Sequence, residues 1–581
     1  MTSGQLTAIA LDPSIGAALV AADGSVRRFT PHELADGLAA VECDLAPRWV
    51  WWSIDTARAL VELGVRPRRC WDVSAVHRLL HGGWRAEPAR IWASSQGLDT
   101  STIPEARPID LFTTVDDTVD DDPAVRDDGH LRPDWLDAGR VAGTWRANDD
   151  HLVRHARLAL AVSRRQADQL AALVDRPAAA TTALSESAAD ALCAELEHDG
   201  LPIDVDAAER IIAGFIGPRP TSAHDELQRL AERDDRVLHH LPSSGASGHG
   251  IDLRNPASVK SLLRRVGIEV QDTRAWRLEQ LRDRHPIVEE LLAWRRAERI
   301  ATTFGYRWLD EHVAGGRLRG QWAGADGAAG RMTATAGLHN MPAELRPAIV
   351  ADPGHVFIRS DLGQIEPRVL AAVSGDAALA AAATEADLYA PVAARLGVER
   401  NIAKVAVLGA MYGQTTGTGA AALRGLERAY PTAMGFLEAA DHTAQAGRDL
   451  RTVGGRLVQF GSTASDAGEG TVNERDVRNR TAARGRFGRN AMVQGAAAEL
   501  FKTWAGTVRA ELRRSNGGSI VLCLHDELLV HAPSESAAET AELVDDALGA
   551  AAQRWCRRAE VDVDVTFIAD TTVIRRWSDA K

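Results

Sequence analysis

The sequence predicts a protein of several domains, in which an α/β domain is followed by a helical segment and an α+β domain. The chain has 581 residues, which is too long for a single hydrophobic core of the usual size. Residues 48–80 alternate a strand-like apolar run with helix-like segments, as is typical of an α/β domain. Residues 519–530 form two apolar runs of β character separated by charged residues, which indicates a hairpin in a second sheet.

Further along the chain the pattern changes from strands to helices and back. The alternating pattern predicts an α/β domain over residues 1–178. Residues 184–215 predict a helical hairpin broken by glycine and proline, and residues 255–267 and 285–304 predict long amphipathic helices. A mostly helical domain is therefore expected over residues 180–345. After it come a strand, further helices and the charged hairpin.

Composition places the protein among ordinary globular chains. Apolar residues make up 45% and charged residues 25% of the sequence. The amino terminus lacks a basic segment followed by an apolar run, and no run of about 18 apolar residues occurs later, so we expect no membrane association and a cytoplasmic location. Five scattered cysteines without a CxxC pair indicate reduced thiols instead of a zinc site or a disulfide framework.

Charge gives conflicting indications about a nucleic-acid partner. The net charge of −13 argues against one, whereas residues 475–489 contain six arginines. That run is compatible with a DNA-binding surface or with a solvated helix face. Lysine is so rare that a lysine in a motif is informative, and the lysines are Lys260, Lys404, Lys502 and Lys581.

Two aspartates are the strongest chemical signal. Asp361 ends a predicted strand in IRSDLGQIEPR, and Asp526 lies between the two apolar runs in CLHDELLV. Phosphoryl transfer by two metal ions needs acidic groups from facing strands, close enough to share ions roughly 4 Å apart. Taken singly, each aspartate is better explained as a turn or cap residue. The pair indicates a two-metal site only if the fold brings the two together.

A helix between the aspartates carries cations along one face. Arg400, Lys404, Leu408 and Tyr412 are spaced four residues apart, and Gly413 ends the pattern. Two cations followed by an apolar and an aromatic side chain suit the phosphates, sugar and base of a nucleoside triphosphate. An ordinary amphipathic helix is the alternative.

Together these segments resemble the family A DNA polymerases, the DNA polymerase I type. DLGQIEPR is similar to motif A (DYSQIELR), RNIAKVAVLGAMYG to motif B (R-x3-K-x7-YG) and LHDELLV to motif C (VHDEL). GRMTATAGLHNMP resembles GRLSSTDPNLQNIP, TVGGR resembles TLDGR, and RFGRNAMVQGAAAE resembles the R-x3-N-x3-QG helix. ELEHDGLPIDV is similar to the start of the family's thumb. The resemblance covers about 400 residues.

The resemblance implies a function and a set of site residues. Asp361 and Asp526, with the carbonyl of Leu362, would hold two Mg²⁺ ions, for which Mn²⁺ is a substitute. Lys404 would also protonate the leaving pyrophosphate, and Glu366 with Tyr412 would exclude a ribose 2′-hydroxyl. The implied nucleotide-binding residues are Gln364, Glu366, Arg400, Lys404, Leu408 and Tyr412. The implied primer-template residues are Arg331, Asn340, Arg486, Asn490, Gln494 and His525.

Several positions depart from the family pattern. Leu362 and Gly363 replace Tyr and Ser in motif A, and Pro367 follows the gate glutamate, where it is expected to alter the helix start. Leu408 replaces an aromatic residue, which would weaken stacking on the nucleotide sugar. Tyr389 replaces a histidine, which would remove a phosphate contact.

The amino-terminal domain resembles the family's 3′-5′ exonuclease, which has a ribonuclease-H-like fold and needs four carboxylates. Asp55 lies at the second carboxylate position, and Asp12 is the best candidate for the first, without the usual Glu. The last position, Tyr-x3-Asp, maps to residues 151–155, which have His at both ends. We expect proofreading to be absent; the alternative is that the carboxylates of a divergent domain lie elsewhere.

The sequence thus predicts an exonuclease-like domain followed by a right-hand polymerase. The predicted domains are an inactive exonuclease-like domain over 1–178 and a polymerase domain over 179–581, with thumb 179–345, palm 346–395 and 490–581, and fingers 396–489. No 5′-nuclease domain is expected. The predicted activity is DNA-directed DNA synthesis from deoxynucleoside triphosphates on primer-template DNA, in repair or gap filling, by a monomer associated with the nucleoid. A non-catalytic DNA-binding scaffold is the alternative, and Glu366 disfavours RNA synthesis.

Overall fold

The computed structural model describes residues 6–105, 124–132, 149–241, 251–413, 419–460, 474–515, 517–524 and 526–580. The chain forms two compact units. The first comprises Met1–Gly200, Gln321–Ala334 and Pro353–Ile574, and the second comprises Leu201–Gly320, Thr335–Asp352 and Arg575–Lys581. Both units are built from several separate stretches of chain.

A five-stranded sheet forms the amino-terminal part of the first unit. Its strands are β1 (Leu6–Asp12), β2 (Gly16–Ala21), β3 (Val26–Phe29), β4 (Arg48–Trp51) and β5 (Arg69–Asp72). Their order is β3-β2-β1-β4-β5, with β1, β2 and β3 antiparallel and β1, β4 and β5 parallel, as the ribonuclease-H-like prediction requires. Trp49, Val50 and Trp51 are completely buried, because β4 lies inside the sheet with both faces covered.

Helices flank this sheet and extend beyond it. They are α1 (Leu34–Leu45), α2 (Ile54–Glu62), α3 (Val73–His81), α4 (Pro88–Gln96), α5 (Asp149–Ala171) and α6 (Ala179–Asp199). Helix α6 packs against α2, α3 and β5, and it belongs to the first unit. The two predicted helices and the break at Gly200 are confirmed, but the helices belong to different units, so their packing as a hairpin stays a prediction. The predicted boundary at residue 178 stays a prediction.

The second unit is mainly helical, as predicted. It contains β6 (Leu201–Pro202), α7 (Val205–Ile216), α8 (Ala223–Leu238), α9 (Pro256–Arg265), α10 (Ala275–Glu279), α11 (Pro286–Thr303), α12 (Tyr306–His312), β7 (Val313–Ala314) and β8 (Arg317–Leu318). Asp204 and Asn255 cap the amino termini of α7 and α9 through their side chains. Val259, Leu262 and Leu291 are fully buried in the core of this unit.

A four-stranded antiparallel sheet forms the rest of the first unit's framework. After the hairpin β9 (Trp322–Asp326) and β10 (Arg331–Ala334), the sheet comprises β11 (His355–Leu362), β14 (Ser519–Leu524), β15 (Glu527–Pro533) and β16 (Ala569–Ile574). The order is β14-β15-β11-β16, so β11 lies in the interior. The predicted charged hairpin is confirmed, because β14 ends and β15 begins on either side of Asp526.

The remaining elements lie between β11 and the end of β16. They are α13 (Ile365–Ser374), α14 (Ala377–Ala382), α15 (Tyr389–Leu396), α16 (Arg400–Tyr412), α17 (Gly419–Ala429), α18 (Pro431–Gln445), β12 (Leu450–Arg451), β13 (Leu457–Val458), α19 (Glu474–Ser515) and α20 (Ala537–Arg558). Pro367 is the third residue of α13, where the backbone N–H that proline lacks would have no partner within the helix. It therefore occupies the first turn without breaking the helix.

Buried charges connect α6 to α19 and to the turn before β13. Lys502 Nζ lies 2.6 and 2.7 Å from the two carboxylate oxygens of Glu186, and Arg456 Nη2 lies 2.5 Å from the same carboxylate. On the next turn of α6, Asp190 pairs with Arg78 of α3 at 2.7 Å. These ion pairs tie the amino-terminal sheet domain to the long helix of the polymerase part. Burial also raises the pKa of Glu499, on α19, to about 7.

Two findings bear on the predictions about environment. Within the described ranges, none of the helices has the length and apolarity needed to traverse a bilayer. The cysteines are all free thiols, with Cys70, Cys193 and Cys523 buried. Burial raises the pKa of the Cys70 thiol to about 12. The reduced state of these thiols stays a prediction.

Candidate active site

The two predicted metal-binding aspartates meet at one end of the second sheet. Asp361 is the penultimate residue of β11, and Asp526 lies in the tight turn between β14 and β15. The Leu362 amide donates a hydrogen bond to the Asp526 carbonyl oxygen over 2.9 Å. Because β15 is paired directly with β11, the fold brings together side chains separated by 165 positions in the sequence.

A row of acids crosses the sheet at this point. Asp361 is opposite Glu527 on β15 and opposite Asp570 on β16, so three carboxylates occupy neighbouring strands. Burial, and after it the negative charge of Asp526, raises the pKa of Asp361 to about 6. Burial also raises the pKa of Asp526. Crowded acids of this kind favour binding of a cation.

The available donors fit Mg²⁺. Among the described residues, no group of three or more His, Cys, Asp or Glu side chains is placed to hold a metal ion. An ion here would therefore take one or two carboxylates, from Asp361 and Asp526, and complete its shell with the Leu362 carbonyl, water and substrate oxygens. Mg²⁺ prefers that arrangement, because it keeps several waters and binds through few carboxylates plus phosphates.

Helix α16 begins and ends as the sequence predicts. It runs from Arg400 to Tyr412, and Gly413 follows with a left-handed φ of 66°. A Cβ atom on Gly413 would lie 2.6 Å from Cγ of Arg486, so only glycine fits this close approach of the two helices. Lys404 is exposed to solvent, and Leu408 is half-buried against the neighbouring helices.

The cationic end of α16 is held by an acid that the sequence analysis did not single out. Arg400 Nε lies 2.5 Å from Asp387 Oδ2, and the guanidinium lies 5.7 Å from the ring centre of Tyr389. Gln364 donates from Nε2 to the same Asp387 over 2.8 Å and accepts from the Leu388 amide over 2.9 Å. Gln364 therefore orients the segment beside Arg400.

Glu366 is the centre of a second polar cluster. Tyr412 donates its hydroxyl to Glu366 over 2.9 Å, which is the contact expected of the predicted gate. Arg331, predicted to contact primer and template, pairs with the other carboxylate oxygen of Glu366 at 2.6 Å. Gln494 also hydrogen-bonds the Tyr412 side chain, and burial raises the pKa of the Tyr412 phenol.

The described residues among those predicted to contact primer and template lie at three locations, which are β10 with Arg331, helix α19, and the second unit. Arg486, Asn490 and Gln494 lie four residues apart on α19 and share one face of that helix. Asn490 has a buried side-chain oxygen with no hydrogen-bond partner among the described residues. Asn340 lies in the second unit, where its carbonyl accepts from Arg299. His525 lies outside the described residues.

The candidate exonuclease residues are engaged in local contacts. Asp12 accepts from the amide and hydroxyl of Ser14 at 2.9 and 2.6 Å, and Asp55 pairs with Arg58 at 2.7 Å. At the position predicted for the last carboxylate, His155 packs 5.4 Å from Trp52, ring centre to ring centre. Burial lowers the pKa of His155 to about 4, so this imidazole is neutral near pH 7.

The most informative residue that the sequence analysis missed is Arg359. Its guanidinium contacts Asp361 and Glu527 directly. A signal was present in the sequence: Arg359 stands two residues before Asp361 in a predicted strand, and alternate residues of a strand share a face. No comparable signal existed for Asp387, whose contacts depend on how α16 packs.

The sheet with its acidic end, the helix bearing Arg400 and Lys404, and the ribonuclease-H-like domain match the architecture expected of the right-hand polymerase class. The model of the family "DNA polymerase family A" matches residues 264–579, which is more than half of the chain. The chain therefore belongs to the family A DNA polymerases.

Individual relatives share part of their length with this chain. DNA polymerase I of Chloroflexus aurantiacus is 32% identical over 303 residues, covering 47% of this chain and 31% of that protein. Thermostable DNA polymerase I of Thermus thermophilus is 28% identical over 397 residues, covering 61% and 44%. DNA polymerase theta of Caenorhabditis elegans is 26% identical, covering 52% and 19%. The matched region thus spans less than half the length of each.

A solved structure shares the fold over almost the whole chain. The "POL domain of Pol1 from M. smegmatis complex with DNA primer-template and dNTP" superposes with a TM-score of 0.66 at 21% identity. The match covers 99% of this chain and 96% of that one. It supports the fold assignment for both the amino-terminal sheet domain and the polymerase part.

Proposed function

We propose that this protein is a DNA-directed DNA polymerase that adds deoxynucleotides to a primer 3′-hydroxyl. The observation that carries the proposal is the meeting of Asp361 and Asp526 at one end of the interior strand of the sheet, with raised carboxyl pKa values caused by burial and crowding. Two Mg²⁺ ions, or Mn²⁺, would supply charge neutralisation at the phosphate and a lower pKa for the attacking hydroxyl when bound.

In this proposal the chain's own residues position the reactants. Asp361 and Asp526, with the Leu362 carbonyl, hold the ions. Arg400 and Lys404 bind the triphosphate, and exposed Lys404 donates a proton to the departing pyrophosphate. Most of the rate enhancement would come from this positioning and from charge stabilisation.

Other residues select the sugar and hold the DNA. The Glu366 carboxylate, fixed by Tyr412 and Arg331, would occupy the space that a 2′-hydroxyl needs. Tyr389 is buried beneath Arg400, where it cannot replace the histidine contact to phosphate. The proposed primer-template residues are Arg331, Asn340, Arg486, Asn490, Gln494 and His525. We further propose that the enzyme acts as a monomer at the nucleoid, in repair or gap filling.

Primer extension tests both the activity and the sugar selection. With a primed template, Mg²⁺ and the four deoxynucleoside triphosphates, we expect extension to the template end. With ribonucleoside triphosphates, we expect incorporation to be slower by about 100-fold or more, because the gate leaves no room for the extra hydroxyl. Absence of extension would overturn the proposed function, and equal use of both sugars would overturn the role of Glu366.

We also propose that the enzyme does not proofread. Asp12 and Asp55 are engaged in contacts with Ser14 and Arg58, and neutral His155 stands where the family's last carboxylate is expected. Incubation with Mg²⁺ and a 3′-mismatched primer, without nucleotides, is expected to leave the primer length unchanged. Shortening that disappears in Asp55→Asn would instead identify a working nuclease site.

A further inference from the structure

Arg359 is a buried cation inside the proposed metal site. It lies on β11 two residues before Asp361, on the same face of the strand, with only 9% of its surface exposed. Nη2 lies 2.5 Å from Asp361 Oδ2 and 3.0 Å from Glu527 Oε2, and Nε lies 3.1 Å from the same Glu527 oxygen. Nη1 lies 3.7 Å from Asp570 Oδ2.

The surroundings give this arginine an electrostatic role. Glu527, Asp361 and Asp570 stand side by side on three neighbouring strands, and their charges would repel one another without a nearby cation. A guanidinium keeps its charge at any pH the protein experiences and offers several donors in one plane. The positive charge of Arg359 therefore offsets the negative charges of this acidic row at every pH the protein experiences.

The same contact places Arg359 in competition with a divalent ion. It engages Oδ2 of Asp361, one of the two oxygens through which this carboxylate would bind a metal, and its positive charge would repel an ion bound there. The two acids differ in access: the Asp361 side chain is 35% exposed, whereas that of Glu527 is 10% exposed. An arriving ion can thus reach Asp361 while the double contact of Arg359 with Glu527 persists.

We propose that Arg359 is a built-in counterion that holds Asp361 in place without metal, yields it to an entering divalent ion, and remains anchored to Glu527. In this role Arg359 is a positioning residue that sets the metal concentration the enzyme requires. Glu527 then serves as the arginine's anchor and not as a metal ligand. The inference rests on the proposed function, because it takes Asp361 as a metal ligand.

Direct measurement of metal binding tests the competition. The full-length protein, without DNA or nucleotide, is titrated with Mn²⁺ while the electron paramagnetic resonance signal of free Mn²⁺ is recorded. We expect Arg359→Met to bind Mn²⁺ about tenfold more tightly than the natural protein, since a nearby like charge is removed. Arg359→Lys, which keeps the charge, should bind within about twofold of the natural protein. Unchanged or weaker binding by Arg359→Met would overturn the proposal.

A second pair of variants tests the role of Glu527. If Glu527 is only the anchor, the double variant Arg359→Met with Glu527→Gln keeps the tight binding of Arg359→Met. Loss of binding in the double variant would show Glu527 to be a ligand and overturn the proposal. Thermal unfolding provides a folding check. Without metal, Arg359→Met should have a lower melting temperature than the natural protein, and added Mn²⁺ should abolish that difference.

The outcomes distinguish this inference from the proposed function. If the natural protein extends primers but Arg359→Met leaves Mn²⁺ affinity unchanged, the counterion role fails and the polymerase assignment stands. If Asp361→Asn binds Mn²⁺ as well as the natural protein does, Asp361 is not a metal ligand and the proposed metal site is wrong. If Mn²⁺ binding is lost in Asp361→Asn and becomes tighter in Arg359→Met, the result supports both the metal site at Asp361 and the counterion role of Arg359.

Discussion

Replacing Asp526 with asparagine is expected to slow single-nucleotide primer extension by about 1,000-fold or more. The substitution keeps the shape of the side chain but removes one of the two charges that the proposed metal ions require. Metal ions contribute several kcal/mol of charge stabilisation to phosphoryl transfer, and each 1.4 kcal/mol corresponds to about tenfold in rate. The measurement is the rate of addition of one deoxynucleotide under single-turnover conditions with saturating Mg²⁺.

Asp570→Asn provides a matched control for that substitution. Asp570 is opposite Asp361 in the same sheet, but its side chain is 74% exposed and lies outside the proposed ligand set. We expect its extension rate to stay within about threefold of the natural protein, because an exposed charge is strongly screened by solvent. If both variants lost the same factor in extension rate, the cause would be the total negative charge at this end of the sheet and not a specific role of Asp526. If neither the natural protein nor Asp526→Asn extends a primer, the non-catalytic scaffold becomes the better description.

The sequence was most informative where function depends on short motifs. The hairpin around Asp526 and the extent of α16 from Arg400 to Tyr412 are confirmed, because turn residues and helix periodicity can be recognised from neighbouring residues. The pairing of the Asp361 strand with this hairpin is a long-range contact that no local pattern contains. The structure also brings Glu366 to Tyr412, although their roles stay predictions.

Contacts that depend on strand register or on helix packing could not be predicted. The contact of the Arg331 guanidinium with Glu366 and that of the Gln364 amide with Asp387 were not predicted. The assignments of Arg331 to DNA and of Gln364 to the nucleotide stay predictions. In the arginine run 475–489, Arg489 forms an ion pair with Asp441 at 2.9 Å, so at least one of the six arginines has a partner within the protein. Side-chain partners across more than 20 positions are set by packing, which single-sequence periodicity does not describe.

The buried ion pair between Glu186 and Lys502 leads to the largest expected effect on stability. Both side chains are 1% exposed, and Arg456 contacts the same carboxylate. Glu186→Gln would remove the carboxylate that contacts both buried cations, and breaking such a pair costs about 3–5 kcal/mol. We expect this loss in the apparent free energy of unfolding, measured by urea titration with tryptophan fluorescence. Glu511→Gln, in the solvent-facing pair with Arg514 on the same helix, should cost less than about 1 kcal/mol.

A double substitution separates the charge effect from lost packing. Adding Lys502→Met to Glu186→Gln removes one stranded cation and fills its volume with an apolar chain, so more than half of the lost stability should return. If the double variant is instead less stable than Glu186→Gln, hydrogen bonding and packing by Lys502 outweigh its charge. Asp190 on the same helix pairs with Arg78 of α3, so α6 carries buried ion pairs to both α3 and α19, and the double variant changes only the pair with α19.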